Sequence, residues 1–150
     1  MSIAHQNDPN LIRALLADPG IWVVVGLSTN ERRTAHRVAR WLKVERGKGI
    51  IPVHPKAETV FGEPGYASLA DIPDQDIKVV DCFVRSELVG AVVDQAIEHR
   101  ERLRIDAVWL QLGVVDEAAA QRAREAGLGV VMDTCPLIEA RRARTSGAAR

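Results

Sequence analysis

The residues with most to offer an anionic ligand stand together near the start of the chain. The apolar run Trp22–Val25 ends at Gly26, and Leu27, Ser28, Thr29, Asn30, Arg32, Arg33 and Thr34 follow in quick succession. A helix N-terminus presents free amides and a partial positive charge, and an arginine fork matches two phosphate oxygens at once. Placed between a strand and a helix, this turn suits a diphosphate. A dinucleotide turn uses three glycines, for the bend, for the approach of the pyrophosphate and for helix–strand packing. Here Gly26 stands alone, so the turn is longer and carries side chains. An ordinary solvated strand-to-helix turn is the plain alternative.

The next informative stretch is "PVHPK", Pro52 to Lys56. A NAD site places Asp or Glu about 20 residues past the glycine turn to hold the ribose hydroxyls. His54 and Pro55 cannot replace that carboxylate. Val53, His54 and Pro55 are suited to flank an adenosine, with His54 stacking or hydrogen bonding, and Lys56 to meet an extra phosphate. The pattern argues against NAD and permits a 3′-phosphorylated nucleotide. For His54 taken singly, a plain loop histidine remains open. Further on, Gln111 and Gly113 of "LQLG" end an apolar run and stand as candidates to line a ligand channel, or simply to terminate a strand.

The elements that must position these residues follow from periodicity. A short helix is predicted from Pro9 to Ala17, stopped by Pro19 and Gly20. Ile21–Val25 reads as the first strand. Ala35, Val38, Ala39 and Leu42 form a helical stripe ended by the glycines near Gly47. "IIPV" is the second strand, and 56–76 a long loop with one helical turn. "IKVVDCFV" is the third strand, followed by a helix capped by Ser86 and running to about Arg102. "IDAVWLQLG", a helix from Asp116 to Gly127, "GVVMD" and a last helix from Pro136 to Arg144 complete the chain, with 145–150 frayed.

Continuous apolar strands alternating with helices predict an α/β fold, a doubly wound, Rossmann-like parallel sheet of five strands. The expected order is 3-2-1-4-5, with the crevice at the carboxyl ends of strands one and four. At 150 residues the chain is read as one domain, 1–150, with its core at about 21–140.

Several of these stretches resemble one family. "VVVGLSTNERRTAHRVARWL", "IIPVHPK", "GYASLADIP" and "VWLQLGVVDEAAAQRAREAGLGVVMDTCPLIE" are similar to the small, stand-alone coenzyme A-binding proteins. Their domain is similar to the CoA-binding domain of succinyl-CoA synthetase. The resemblance implies a Rossmann-like fold that binds CoA or an acyl-CoA through the loop after strand one, the end of strand two and the loop after strand three. Gly26, Leu27, Ser28 and Arg33 match the family's turn. Where relatives continue with proline, serine and an aromatic residue, this chain has Thr34, Ala35 and His36, so Thr34 or Arg32 takes over any serine contact with phosphate. After strand three relatives read phenylalanine then arginine, whereas here Phe83, Val84 and Arg85 displace the guanidinium by one residue. The family's "MDRC" is "MDTC" here, with Thr134 in place of a basic group.

No serine–histidine–aspartate or carboxylate-pair constellation stands out, so no catalytic residue is assigned. The alternatives are an NAD(P)-dependent oxidoreductase on the same fold and a protein-interaction module with a vestigial crevice. Four scattered histidines and two cysteines lack ligand spacing, and no metal is expected. Cys135 precedes Pro136 at a helix start, a setting that favours a reactive thiol, and a mixed disulfide with CoA is a separate possibility. Twenty basic residues balance twenty acidic ones, so no global field draws the chain to nucleic acid or membrane. No apolar run approaches the roughly 20 residues that span a bilayer, and "MSIAHQNDPN" lacks the basic start and apolar centre of a secretory signal, so a cytoplasmic location is expected. A homodimer is plausible for so small a domain.

Overall fold

A computed structural model describes residues 4–148. Helix α1 (Pro9–Ala17) starts where the Asp8 carboxylate accepts the Asn10 amide at 2.8 Å, and Pro9 occupies a position whose N–H would have had no partner. Strand β1 (Ile21–Val25) leads through the Gly26 turn into α2 (Thr34–Arg40). A turn of π-helix, Trp41–Glu45, extends α2 and ends before Gly47, whose φ is +65°. Strand β2 (Ile50–Val53) is followed by the predicted long loop, which carries one 3₁₀ turn, Leu69–Asp71. Strand β3 (Ile77–Cys82), α3 (Ser86–Glu98), β4 (Ala107–Leu110), α4 (Glu117–Glu125), β5 (Gly129–Met132) and α5 (Pro136–Ala148) complete the order.

Three helix ends differ from the expectation. Helix α3 stops at Glu98 rather than about Arg102, because His99 leaves the helical conformation and a turn leads into β4. Arg85, not Ser86, occupies the cap position of α3, and the Ser86 hydroxyl instead accepts the Val115 amide at 3.0 Å, tying α3 to the loop after β4. Helix α5 continues to Ala148 where fraying was expected from 145, and 149–150 lie outside the described residues.

The five strands are all parallel, but their order is β2-β1-β3-β4-β5. This corrects the expected 3-2-1-4-5, and it moves the crevice from strands one and four to strands one and three. Two residues explain the arrangement. Pro52 lacks the N–H that an interior strand must donate, which suits β2 to an edge. Asp81 is wholly buried within β3, opposite Val24 on one side and Trp109 on the other, as only an interior strand allows. Reversal of direction at β1 then sends successive right-handed crossovers to opposite faces. Helices α1, α2 and α5 cover one face around Trp22, Val24 and Trp109, while α3, α4 and the 3₁₀ turn cover the other around Val23, Val80 and Val108.

The wholly buried Trp22 and Trp109 anchor the first face, with ring centroids 5.5 Å apart. Each buried Val or Leu contributes roughly 1.5–3 kcal/mol, against about 0–1 kcal/mol for an exposed ion pair, so these apolar rows dominate stability. At the amino ends of the strands, Lys78 bridges Asp18 at 3.1 Å and Asp106 at 2.6 Å, fastening the pole opposite the crevice. Hydrogen bonding to Asp106 raises the Lys78 pKa, and the Gly20 amide lowers that of Asp18. No helix among the described residues is long and apolar enough to cross a membrane.

Candidate functional site

Three strand ends are bound together at the point where the sheet reverses. The Gly26 amide donates to the Val53 carbonyl at 2.7 Å, and the Phe83 amide donates to the Val25 carbonyl at 2.9 Å. Gly26 has a φ of +98°, and a Cβ there would lie 2.3 Å from the Phe83 carbonyl oxygen. The single glycine thus serves both as the bend and as the place where the loop after β1 passes against the loop after β3. A side chain would have to push the two loops apart.

Beyond Gly26, the turn shapes itself by local bonds. Ser28 Oγ accepts the Asn30 amide at 3.2 Å, Asn30 Oδ1 accepts the Arg32 amide at 3.0 Å, and the Asn30 carbonyl accepts the Arg33 amide at 3.1 Å. Arg33 then caps α2 with extended backbone and no side-chain bond. Neither the Thr34 nor the Ala35 amide finds an acceptor among the described residues. The helix therefore opens on donors rather than carbonyls, the condition for holding an anion.

A cleft of about 1300 Å³ opens above this turn, larger than the roughly 300–1,000 Å³ of ordinary small-molecule sites. It is lined from both faces of the sheet. Of the residues singled out in the sequence, Gly26, Ser28, Arg33, Thr34, Val53, His54, Pro55, Phe83, Val84, Arg85 and Gln111 border it. His54 Nδ1 accepts the Lys56 amide at 3.1 Å, which leaves Nε2 of the neutral ring as a donor. Gln111 is almost completely buried at the cleft wall, and its Oε1 has no partner among the described residues.

Five expected residues lie elsewhere, each for a visible reason. Leu27 is wholly buried in the core beneath the turn. The Thr29 hydroxyl turns away to donate to the Glu58 carboxylate at 3.1 Å. Arg32 borders a second, adjoining hollow. Lys56 lies on the exposed surface past β2 and borders neither space. Gly113, with φ +83°, gives its amide to Asp133 Oδ1 at 2.8 Å and serves the turn after β4.

The structure also adds residues. Arg37 borders the cleft one turn after Arg33, a signal available in the α2 periodicity. Leu88 and Val92 of α3 form an apolar wall with Val84 and Val114, again at helical spacing. Leu137, Ile138 and Arg141 come from α5, and nothing local announced them, because only the return of α5 over the face covered by α2 places them there. Cys135 is buried and borders the cleft, whereas Cys82 is wholly buried in β3, and burial drives its thiol pKa far up. Among the described residues, no three of His, Cys, Asp and Glu group so as to hold a metal ion.

Comparison with known proteins agrees with this architecture. Residues 21–141 match the family described as CoA binding domain. A Bacillus subtilis protein, "Uncharacterized protein YneT", is 37% identical over 112 residues, covering 75% of this chain and 78% of that one. A solved structure of a hypothetical protein from Pyrococcus horikoshii is 34% identical with a TM-score of 0.81, over 95% of this chain and 98% of that one. A dinucleotide-forming acetyl-coenzyme A synthetase from Korarchaeum cryptofilum, in complex with phosphate and ADP, is similar in fold. It has a TM-score of 0.67 at 22% identity, over 84% of this chain and 28% of that one.

Proposed function

The chain belongs to the CoA binding domain family, and from that premise we propose that it binds coenzyme A or an acyl-CoA in the cleft between the loops after β1 and β3. The ligand is a long molecule with an anionic middle, an adenosine at one end and an amide-containing arm at the other. The cleft offers a complement to each part. Ser28, Arg33 and Thr34 hold the diphosphate beside Gly26, with the amides of Thr34 and Ala35 as donors. Val53, His54 and Pro55 flank the adenosine, and Phe83 covers its other side. Gln111 meets the arm, where its unpartnered Oε1 accepts an amide N–H.

The observation that carries this reading is the pair of acceptor-free amides at the start of α2, beside Arg33 and at the bordering wall of the cleft. Against NAD stands the absence of a carboxylate at the end of β2, where His54 and Pro55 sit instead. Binding itself is the activity proposed, and no residue is given a catalytic role.

Calorimetric titration with CoA and NADH tests the reading. CoA is expected to bind and NADH to bind more weakly, and Arg33→Ala is expected to weaken CoA by about 1 to 3 kcal/mol through loss of a charge-assisted bond. Preferential NADH binding would reverse the assignment. Binding of neither would point to an interaction module with a vestigial crevice.

A further inference from the structure

Along α2, adjoining the main cleft at Arg33 and Arg37, lies a second hollow of about 380 Å³. Arg32, Arg33, Arg37 and Arg40 surround it, together with His36 and Phe61, whose rings meet at 4.6 Å between centroids. Glu31 is the single carboxylate on its rim. None of the four guanidiniums makes a hydrogen bond or ion pair among the described residues. Several cations elsewhere are matched, Lys43 with Glu63, Lys78 with Asp18 and Asp106, Arg102 with Asp74, and Arg122 with Asp94, whereas here four stand together without a partner among the described residues.

This concentration works against the fold. Arg33 and Arg37 are one helical turn apart, and like charges at that spacing repel. Cations near a helix N-terminus also oppose its dipole. Four unmatched positive charges at such a place favour a multiply charged anion, and the diphosphate proposed above uses only Arg33 among them. Arg33 and Arg37 border both spaces, so the hollow opens directly beside the main cleft.

Resting on the CoA reading, we propose that this hollow takes the 3′-phosphate of the ribose, with Arg32, Arg37 and Arg40 as its cationic partners. A phosphate monoester carries close to two charges and accepts several guanidinium bonds. Phe61 comes from the loop after β2, the strand whose end flanks the adenosine, so the ribose lies between the two spaces. Lys56, the residue the sequence offered for this phosphate, borders neither. The consequence is specificity: the hollow separates CoA from ligands that share the adenosine diphosphate but lack the 3′-phosphate.

The test is calorimetry of the wild type, of Arg32→Gln/Arg40→Gln and of Lys56→Gln with CoA and with dephospho-CoA, alongside thermal denaturation. Wild type should prefer CoA by at least about tenfold, the strength of a charge-assisted contact. The double variant should lose that preference, retain its affinity for dephospho-CoA, and melt at an equal or higher temperature as repulsion is relieved. Equal wild-type affinity for the two ligands would overturn the proposal while leaving the CoA reading intact. A preference abolished by Lys56→Gln but kept by the arginine variant would overturn it in favour of the lysine. Failure of both ligands to bind would remove the CoA reading and this inference with it.

Discussion

At Gly26 a conformational demand and a packing demand coincide. Its φ of +98° is one that L-residues avoid, and its missing Cβ lets the Phe83 carbonyl approach. Gly26→Ala is expected to cost about 2 kcal/mol or more and to weaken CoA binding, because the two loops that frame the cleft must separate. Denaturant melts and titration check both, and a variant of unchanged stability would contradict the geometry. Asp81 poses a different problem. Burial pushes its carboxyl pKa well above the ordinary 3.8, and neither oxygen has a partner among the described residues. The folded chain therefore holds this proton more tightly than the unfolded chain does. Its contribution to stability is fully present below the ordinary carboxylate value and declines as pH rises from there towards the folded value. Asp81→Asn should stabilise the protein at neutral pH, with the gain shrinking towards about pH 4. A gain independent of pH in denaturant melts would contradict this account.

Among the elements, the long connection from β2 to β3 has little regular structure and is fastened by one side chain at several points. The Arg102 guanidinium donates to the carbonyls of Leu69 at 3.1 Å, Ala70 at 3.2 Å and Ile72, and to the Asp74 carboxylate at 3.2 Å. Ser68 and Leu69 border the cleft, so Arg102 fixes one of its walls from behind. Arg102→Met, which keeps much of the stem, should cost about 2 kcal/mol. Faster amide exchange at Leu69–Ile72 and weaker CoA binding should accompany it, and unchanged exchange would mean that the loop holds its shape without the clamp. How far the sequence could be read differs between elements for physical reasons. The helices and strands follow from apolar periodicity and from Asp8, Asp116 and Gly127, which act locally. Strand order does not, because pairing is long-range. The one local clue was Pro52, whose missing N–H favours an edge, and the expected order set β2 in the interior. In the site, Gly26, Arg33 and His54 were readable because a turn and two strand ends must meet at a crevice, whereas Leu137, Ile138 and Arg141 depended on the path of α5.

For the whole molecule, equal numbers of acidic and basic residues conceal a strong local asymmetry. Several carboxylates are drawn into ion pairs near the amino ends of the strands and between α3 and α4, as with Asp18, Asp106 and Asp94. The arginines of α2 remain unmatched beside the cleft. A molecule with no net formal charge thus still presents a cationic region at the carboxyl ends of β1 and β3, where the reversal of the sheet leaves room for a ligand. In the function proposed above, the turn after β1 grips the diphosphate of CoA. Titrating CoA into isotope-labelled protein while following the backbone amide resonances is the most direct measurement. The signals of Gly26, Ser28, Thr34 and Ala35 should move furthest and saturate together. Saturable CoA binding that leaves those four unmoved would contradict the account.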